Sequence, residues 1–501
     1  MIRFLENLNR VVWGFPALIL IVSVGLLISI RTGWVQFRLF PSAVQAFFTL
    51  LRKKERSRGI SPYRALCTAL AATVGTGNLA GVAGAIAIGG PGAIFWMWIC
   101  GILGMATKFA EATLSVRFRV KDGSDGYAGG PMHMVAHGMG PKWRPLATVY
   151  CFFGVVAAFG VGSATQINAV LGGVNSAVRA MGGSESKTAN LLIGMGLALL
   201  VVLVVFGGAK RIGAAASFLV PFASVFYLLL CLGVLVAKAP AIPGALQAIV
   251  KGAVTPHAVT GGVVGSAFQA LRIGASRGVF TNEAGMGTAG MAHASAEVSH
   301  PVQQGMMGII EVFLDTIVIC TMTALVILCS GIPIPYGEDL GIVITADAFS
   351  RIYGDWVNVP LALALCCFAI ATILGWGLYG ARCAQYLFGD RSWKGFAVLQ
   401  AISVVLGAVL NTGTVWSMSE TANGLMAIPN LIILIYLSPE LSRLTKEYRK
   451  KFGRKTAYGG TYENLNHSKQ MQFVSHAKVP SLGGKGKERG QEDLPSEYRS
   501  A

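Results

Sequence analysis

The feature that most constrains this chain is a series of apolar runs about 20 residues long, because an α-helix of that length crosses the hydrocarbon core of a bilayer. Only 13% of the 501 residues are charged, whereas a soluble protein carries about a quarter. We therefore predict an all-α polytopic membrane protein with about 11 transmembrane helices. The predicted spans lie near residues 13–30, 61–88, 93–116, 145–174, 189–206, 214–237, from 261 into a less apolar stretch, 302–329, 357–381, 395–410 and 415–437.

Basic residues set the predicted orientation. The net charge is +18, and clusters of Lys and Arg occupy segments 31–64, 117–144, 210–211, 382–394 and the tail from 438. Such clusters mark cytoplasmic segments of membrane proteins. With the N-terminus outside and the C-terminus in the cytoplasm, all of them fall on the cytoplasmic side, whereas one span fewer would misplace some. The charge is thus explained by the lipid bilayer, and no nucleic-acid partner is predicted.

Residues 69–92 are apolar enough for a membrane span, yet the hexapeptide TVGTGN interrupts them at 73–78. Two glycines, two threonines and an asparagine disfavour a continuous helix. Inside lipid, unwound backbone is tolerated only where protein or a water-filled cavity covers it. We therefore predict a broken transmembrane helix whose break is a binding site.

The residue types in this break suit an anionic group and a cation. The amides around Gly75 and Gly77 allow a close approach because glycine has no side chain, and the restarting helix presents its N-terminus to a carboxylate. Helix packing explains the glycines equally well on spacing alone, since Gly77 and Gly81 form a GxxxG pair. The candidate oxygen ligands for sodium are the side chains of Thr73, Thr76 and Asn78 and the carbonyls of Ala71 and Val74.

A second interruption lies in the seventh span, from about Arg272 to Gly290. Paired interruptions at corresponding positions of two halves are the best sequence indication of a transporter binding site. With the first span taken as an extra helix, the second and seventh spans each begin a set of five. The predicted divisions are an extra N-terminal helix with a basic loop (1–60), a first five-helix repeat (61–237), an outside loop with a second repeat (238–437), and a basic disordered cytoplasmic tail (438–501).

Three motifs resemble those of the alanine or glycine:cation symporter family: TVGTGNLAG at 73–81, YAGGPMHM at 127–134 and SRGVFTNEAGMGTAGMAHA at 276–294. The resemblance covers about residues 10–450. It implies a LeuT-type fold of two inverted five-helix repeats, here preceded by one extra helix. It also implies uptake of alanine or glycine through a bacterial inner membrane, coupled to sodium and sometimes to protons.

The first break also looks like the glycine-x-glycine-asparagine break of the sodium:neurotransmitter symporters, and this likeness implies two sodium positions. Asn78 and Thr73 fall where a sodium ion beside the substrate is held. The carbonyls of Ala71 and Val74 fall where a second sodium is held, and Thr372 of the ninth span would complete that site with its hydroxyl.

Further residues complete the predicted pocket. Trp376 lies one turn beyond Thr372 and would cap the substrate, unless Thr372 bonds only its own helix and Trp376 only packs. Gln166 needs a partner inside the membrane, either the substrate or another helix. Ile273 and Gly274 are predicted to shape the pocket wall at the second break, where they leave space for a methyl group and little more.

Ionisable residues inside spans are treated as functional, with partners to be named. Glu311 and Asp315 lie four residues apart on the eighth span, so both should face the interior, as members of structural ion pairs or as coupling-ion ligands. Arg272 and Arg277 are the predicted partners, and Glu283 is predicted to pair with Arg277. Glu111 is predicted to lie near a membrane interface, and Glu420 is predicted to face a cavity in the eleventh span.

The sequence contains no Walker A run, no HExxH and no GxSxG in a strand–turn–helix context, which argues against ATP-driven transport and against a membrane hydrolase. Its nine cysteines and seven histidines form no ligand pattern, so no cofactor is predicted apart from Na⁺ as the coupling ion. We predict a sodium-coupled symporter that imports alanine, glycine or both by alternating access. The alternatives are a proton-coupled or other small-solute carrier of the same fold and, in another class, an ion channel.

Overall fold

A computed structural model describes residues 15–52, 59–122, 126–254, 267–338, 341–409 and 412–452, with backbone only for residues 15 and 412–420. The predicted tail beyond 452 and the side chain of Glu420 lie outside this description. The described chain is mostly helical, as the apolar runs predict.

The helices up to residue 254 are α1 (Phe15–Thr32), α2 (Val35–Arg38), α3 (Phe40–Arg52), α4 (Pro62–Thr73), α5 (Val82–Gly89), α6 (Gly92–Arg117), α7 (Pro131–Met134), α8 (Arg144–Phe159), α9 (Thr165–Ala180), α10 (Lys187–Val205), α11 (Gly208–Ala237) and α12 (Ile242–Val254). The later helices are α13 (Ala267–Asn282), α14 (Thr288–His293), α15 (Pro301–Val312), α16 (Thr321–Ser330), α17 (Ile342–Tyr353), α18 (Asn358–Phe388), α19 (Ser392–Gly407) and α20 (Thr412–Phe452). Short 3₁₀ turns occupy Pro141–Trp143, Ala239–Ala241 and Asp355–Val357. An antiparallel hairpin joins β1 (Val120–Asp122) to β2 (Gly126–Ala128).

Four π-helical segments interrupt or extend these helices: Gly77–Gly81, Val135–Met139, Gly160–Ala164 and Phe313–Cys320. A π segment inserts an extra residue into a turn and is frequent at functional sites. The first, third and fourth lie inside predicted spans two, four and eight, where they change the direction of the side chains that follow.

Among the described residues, seven helical segments are long and apolar enough to cross a membrane, and a bent helix pair raises the number to eight. Pro16–Thr32 and Ser392–Gly407 are shorter apolar helices. The protein is therefore a multi-pass membrane protein, as predicted. The count of 11 spans and the two inverted repeats stay predictions.

The helices next to the broken helix form two packed sets, one on each side of it. α6 packs mainly against α13 and α15, and we call these three helices the α6 group. α18 packs mainly against α8, α9 and α11, and we call these four the α18 group. The first half of the broken helix, α4, packs against α11 and α18, whereas its second half, α5, packs against α13. The break thus lies between the two groups.

Three segments are more helical than the sequence indicates. The predicted outside loop from 238 contains α12, and the stretch between predicted spans eight and nine contains α17. The predicted boundary at 437 falls inside α20, which continues to Phe452. Prolines at 240, 243, 333 and 335 are typical of loops, so composition obscures the helices α12 and α17 that lie beside them.

Candidate functional site

The first break lies where the sequence places it. Ser61 caps the N-terminus of α4, because its hydroxyl accepts a hydrogen bond from Arg64 N at 3.2 Å. The helix ends at Thr73, since the next residue, Val74, has an extended backbone with ψ 104°. The segments Pro62–Thr73 and Gly77–Gly89 are bent by 50° relative to each other. The span is therefore a broken helix, with its opened residues at 74–76.

Asn78 holds the break open. Its Oδ1 accepts a hydrogen bond from Gly75 N at 2.8 Å, so this amide does not close the helical bond to Ala71. The amide of Asn78 itself donates to Gly75 O at 3.2 Å instead of to Val74. Carbonyls lose their helical partners at a break, and here the amides of Gly75 and Asn78 do not donate to the carbonyls of Ala71 and Val74.

The far side of Asn78 contacts a buried carboxylate. Asn78 Nδ2 donates to Asp315 Oδ1 at 2.7 Å, and to Cys320 Sγ at 3.3 Å. Asn78 and Asp315 are both fully buried. The sequence indicated that Asp315 faces the interior, and it does so, but its partner is the asparagine of the first break and not an arginine of the seventh span.

Two polar side chains of the α18 group approach the opened residues. Thr76 Oγ1 donates to Gln166 Oε1 at 3.2 Å, and a Cβ added at Gly75 would lie 2.8 Å from Thr372 Oγ1 and 4.0 Å from Gln166 Oε1. Gln166 Nε2 donates to Val161 O at 3.0 Å. The structure thus brings Gly75, Thr76, Gln166 and Thr372 together around one point.

Some predicted site residues are bonded within their own helices. Thr372 Oγ1 donates to Phe368 O at 3.0 Å, and Thr73 Oγ1 lies 3.3 Å from Ala69 O and 3.4 Å from Leu70 O. Each hydroxyl oxygen keeps lone pairs for a cation after donating its proton. Gly77 faces α13, because a Cβ there would lie 3.5 Å from the methyl group of Thr281, and this contact supports the packing interpretation of the glycine pair.

The second break occupies residues 283–287, at the end of the predicted stretch. α13 ends at Asn282 and α14 begins at Thr288, and between them Glu283, Gly285 and Gly287 have φ of 53°, 100° and 78°. Glycine adopts this left-handed region freely, whereas for a glutamate it is uncommon. The interruption is therefore built by NEAGMG and not by the arginine-containing part upstream.

The structure does not bring Ile273 and Gly274 to either break, in contrast to the predicted pocket wall. Both lie inside α13, which is regular there. A Cβ added at Gly274 would lie 2.2 Å from Ala93 O, and Ile273 packs against Gly89. Their physical role is the close approach of α13 to α6 and to the end of α5.

A continuous chain of hydrogen bonds joins the two breaks. From Asp315, the carboxylate oxygen Oδ2 accepts from Thr316 Oγ1 at 2.9 Å. Thr316 Oγ1 in turn accepts from Asn282 Nδ2 at 3.1 Å, and Asn282 Oδ1 accepts from Ala284 N at 2.9 Å. The segment Phe313–Cys320 is π-helical, so two successive polar side chains reach two different breaks.

The buried glutamate of the eighth span is paired with Lys108 of α6 and with His293 of α14. Glu311 Oε1 accepts from Lys108 Nζ at 3.0 Å, and Glu311 Oε2 lies 2.9 Å from His293 Nε2. All three side chains are fully buried. The predicted arginine partners of Glu311 were wrong. α15 packs on α6, which carries Lys108, and the second residue that contacts Glu311 is His293.

Glu111 is also buried and does not reach the membrane interface, so the prediction of an interfacial side chain was wrong. Its Oε1 accepts hydrogen bonds from Gly285 N at 2.9 Å, Gly287 N at 3.0 Å and Asn430 Nδ2 at 2.8 Å. The position follows from the spacing, since Lys108 and Glu111 lie three apart and share a helix face. Glu111 therefore satisfies the unwound amides of the second break.

Glu283 bonds to Trp376 and Thr288, and these contacts replace the predicted pair with Arg277. Trp376 Nε1 donates to Glu283 Oε1 at 3.0 Å, and Thr288 Oγ1 donates to Glu283 Oε2 at 2.6 Å. Trp376 is fully buried, one turn from Thr372 on the side of the second break.

Among the described residues, no group of three or more His, Cys, Asp or Glu side chains is arranged to hold a metal ion. A cation at this site would thus be held by carbonyl, hydroxyl and amide oxygens, which are the ligands that hard cations prefer.

A model of the "Sodium:alanine symporter family" matches residues 1–459. The chain is 38% identical to the "Sodium/alanine symporter AgcS" of Methanococcus maripaludis, over 90% of this chain and 97% of that protein. It is 35% identical to the "Probable sodium/glutamine symporter GlnT" of Bacillus subtilis, over 89% and 91% of the two chains. Its fold is similar to that of MhsT, crystallised with L-phenylalanine, with a TM-score of 0.55, 15% identity, and 77% and 90% coverage of the two chains.

Proposed function

Because this chain belongs to the sodium:alanine symporter family, whose members are membrane transporters and not enzymes, we propose that it imports alanine, glycine or both together with sodium by alternating access. Its helices resemble those of LeuT-fold transporters. In such folds, substrate and coupling ions bind near the membrane midplane at broken helices.

The observation that carries the proposal is the opened helix at 74–76, where Gln166 and Thr372 of the α18 group approach Thr76 and Gly75. A substrate carboxylate would be bound by the amides of Gly75 and Gly77 and by the hydroxyl of Thr76, which lies 3.2 Å from Gln166. The Gly75 amide would exchange its bond to Asn78 Oδ1 for one to the substrate. Gln166 would then exchange its bond to Thr76 for one to the substrate. A helix N-terminus favours an anionic group at this point.

Sodium would occupy the oxygen-rich side of the same break. One ion would be held next to the substrate by Asn78 and Thr73. A second would be held by the carbonyls of Ala71 and Val74 and by Thr372, whose hydroxyl oxygen lies close to Gly75. The diverted amides of Gly75 and Asn78 support this assignment, because they leave carbonyl oxygens available.

The substrate would be small. Thr372 Oγ1 lies within 2.8 Å of the position that a Cβ on Gly75 would take, and Trp376 is fully buried one turn further along. These side chains restrict the space beside the break, which suits the methyl group of alanine. Since one relative is named for glutamine, competition by glutamine is the direct check on pocket size.

The test is uptake of radiolabelled alanine into proteoliposomes that contain the purified protein, with an inward sodium gradient or with choline in place of sodium. We expect saturable uptake that needs sodium, counterflow, and competition by glycine but not by glutamine. Uptake that follows a proton gradient in the absence of sodium would identify a proton-coupled carrier. Flux without saturation or counterflow would identify a channel.

The proposed location is a bacterial inner membrane, with the N-terminus outside and the C-terminus in the cytoplasm. The basic segments support this orientation through the preference of Lys and Arg for cytoplasmic loops. Protease treatment of right-side-out vesicles should leave a C-terminal tag intact and remove an N-terminal one.

A further inference from the structure

Glu283 is a buried carboxylate that the proposed substrate and sodium positions do not use. Only 3% of its surface is exposed, and its backbone adopts a φ of 53°, in which side-chain-bearing residues are uncommon. Such conformations persist only where the surroundings hold them, and they cluster at functional sites. The bonds that hold Glu283 run to Trp376 and Thr288.

The bond between Glu283 and Trp376 fixes the orientation of the indole ring. The Nε1–H group is the only hydrogen-bond donor of a tryptophan side chain. Here Nε1 of Trp376 donates to Glu283 Oε1, and the two atoms are 3.0 Å apart. On the opposite side the side chain lies on Gly162, where an added Cβ would be 2.3 Å from the Cβ of Trp376. The ring is thus confined by backbone on one side and by a carboxylate on the other.

The same bond connects the second break to the α18 group. Glu283 directly follows α13, a member of the α6 group, and Trp376 belongs to α18 in the α18 group. Transport in this type of fold proceeds largely by rocking one set of helices against another. A single hydrogen bond therefore links the unwound second break to the side chain that would cap the substrate.

We infer that Glu283 is a positioning residue: its carboxylate holds the Trp376 indole over the substrate at the first break and ties that capping orientation to the second break. The inference rests on the proposed function for the substrate itself, but the Glu283–Trp376 contact does not depend on which substrate is carried. What the role needs is an acceptor oxygen and not a negative charge. Glutamine fits this requirement, because its Oε1 can accept from the indole while its Nε2 donates to the Thr288 hydroxyl.

The first test is a double-mutant cycle in sodium-driven alanine uptake. We expect Glu283→Ala and Trp376→Phe each to raise KM about tenfold, the equivalent of about 1.4 kcal/mol, with the maximal rate nearly unchanged. The double variant should be no worse than either single one, and Glu283→Gln should stay near wild type. Glu185→Ala is the matched control, because that carboxylate is exposed and bonds only Arg179 among the described residues.

Two outcomes of this cycle would overturn the inference: effects that add in the double variant, or a Glu283→Gln protein as impaired as Glu283→Ala. If Glu283→Ala does not fold, Trp376→Phe decides alone. It keeps an aromatic ring, although a smaller one, and loses the N–H group, so an unchanged KM would show that the bond positions nothing.

The second test does not require any substrate. The protein is labelled with 5-fluorotryptophan, and the ¹⁹F resonance of position 376 is assigned by its absence in Trp376→Phe. This resonance should shift in Glu283→Ala but not in Glu283→Gln or Glu185→Ala. An unshifted resonance would refute the positioning role, whereas a shifted resonance in a protein that takes up no alanine would refute the proposed function alone.

Discussion

At the scale of single residues, Asn78 is the side chain on which the first break depends. Replacing it with alanine leaves both Gly75 N and Asp315 Oδ1 without their partner, and a buried unsatisfied group costs about 1–3 kcal/mol. We expect Asn78→Ala to weaken alanine binding by at least about tenfold and to remove its sodium dependence. Labelled-alanine binding to purified protein, with and without sodium, measures both effects.

Asn358→Ala is the control for this substitution. Asn358 is the first residue of α18, and its side-chain amide donates to Ser350 Oγ. The variant therefore tests the loss of an asparagine amide away from the break. Equal behaviour of the two variants would mean that Asn78 has no special role in binding.

Some residues of the candidate site could be predicted from sequence because their environment is local. A polar hexapeptide inside an apolar run indicates a break wherever it occurs, and this reasoning identified Gly75 and Asn78. The partners of Glu111 and Glu311 could not be predicted in this way, since they depend on which helix faces pack together. Hydropathy placed Glu111 near an interface, but the packing of α6 on α13 buried it under the second break.

At the scale of elements, the opening of α4 depends on a glycine at 75. A Cβ there would lie 2.8 Å from Thr372 Oγ1, which is closer than real side chains approach. We expect Gly75→Ala to abolish uptake and to lower the melting temperature in detergent. Thr372→Ala removes the obstructing hydroxyl, so the double variant should regain stability without regaining sodium-dependent uptake.

The control for Gly75→Ala is Gly196→Ala in α10, where an added Cβ meets nothing within 4 Å. Alanine is favoured over glycine in a helix interior by about 1 kcal/mol, so this variant should be active and slightly stabilised. Full activity of Gly75→Ala would show that the break has more room than the contact with Thr372 indicates.

The second break depends on one carboxylate from a neighbouring helix. Glu111 accepts hydrogen bonds from two amides of the break and from Asn430, and its other oxygen, Oε2, is buried without a hydrogen-bond partner among the described residues. We expect Glu111→Ala to speed amide exchange at residues 283–287, because these donors lose their acceptor. Glu111→Gln, which keeps one acceptor oxygen, should have a smaller effect.

Hydrogen-exchange mass spectrometry of the 283–287 region measures this change, with Glu185→Ala as an exposed-carboxylate control. If exchange there is the same in Glu111→Ala as in wild type, Glu111 does not hold the break. Sequence alone indicated an interruption from about Arg272 to Gly290, because the span loses its apolar character there, but not that α6 supplies the acceptor for the amides of 283–287.

At the scale of the whole molecule, the sequence predicted the class of fold but not every element. Apolar runs of about 20 residues indicate spans, and the long helices α6, α11 and α18 follow them. The helices α12 and α17 and the π segments escaped prediction, because a run of apolar residues shows neither a helix beside prolines nor one extra residue within a helical turn. The positions of Ile273 and Gly274 were also mispredicted, because the composition of the seventh span suggests an interruption from Arg272, whereas the helix continues to Asn282.

Coupling between sodium and substrate, as proposed here, is a property of the whole molecule, because both ligands must favour the same state of the protein. If sodium binds at Asn78 and Thr73 beside the substrate, each ligand must strengthen the binding of the other by the same factor. We therefore expect alanine affinity to fall when choline replaces sodium, and sodium affinity to rise by an equal factor when alanine is added. Isothermal titration of purified protein measures both.

The membrane potential provides an independent measure of the same coupling. Each positive charge that moves inward gains about 2.3 kcal/mol per 100 mV, so an inside-negative potential should raise sodium-driven accumulation of alanine, which is itself electrically neutral. Asn78→Ala should lose the reciprocal effect in titration and the response to potential together, because both require the ion beside the substrate. Alanine binding that is identical in sodium and in choline would contradict the sodium site, since linkage leaves no way for a coupled ion to bind without changing the affinity for its substrate.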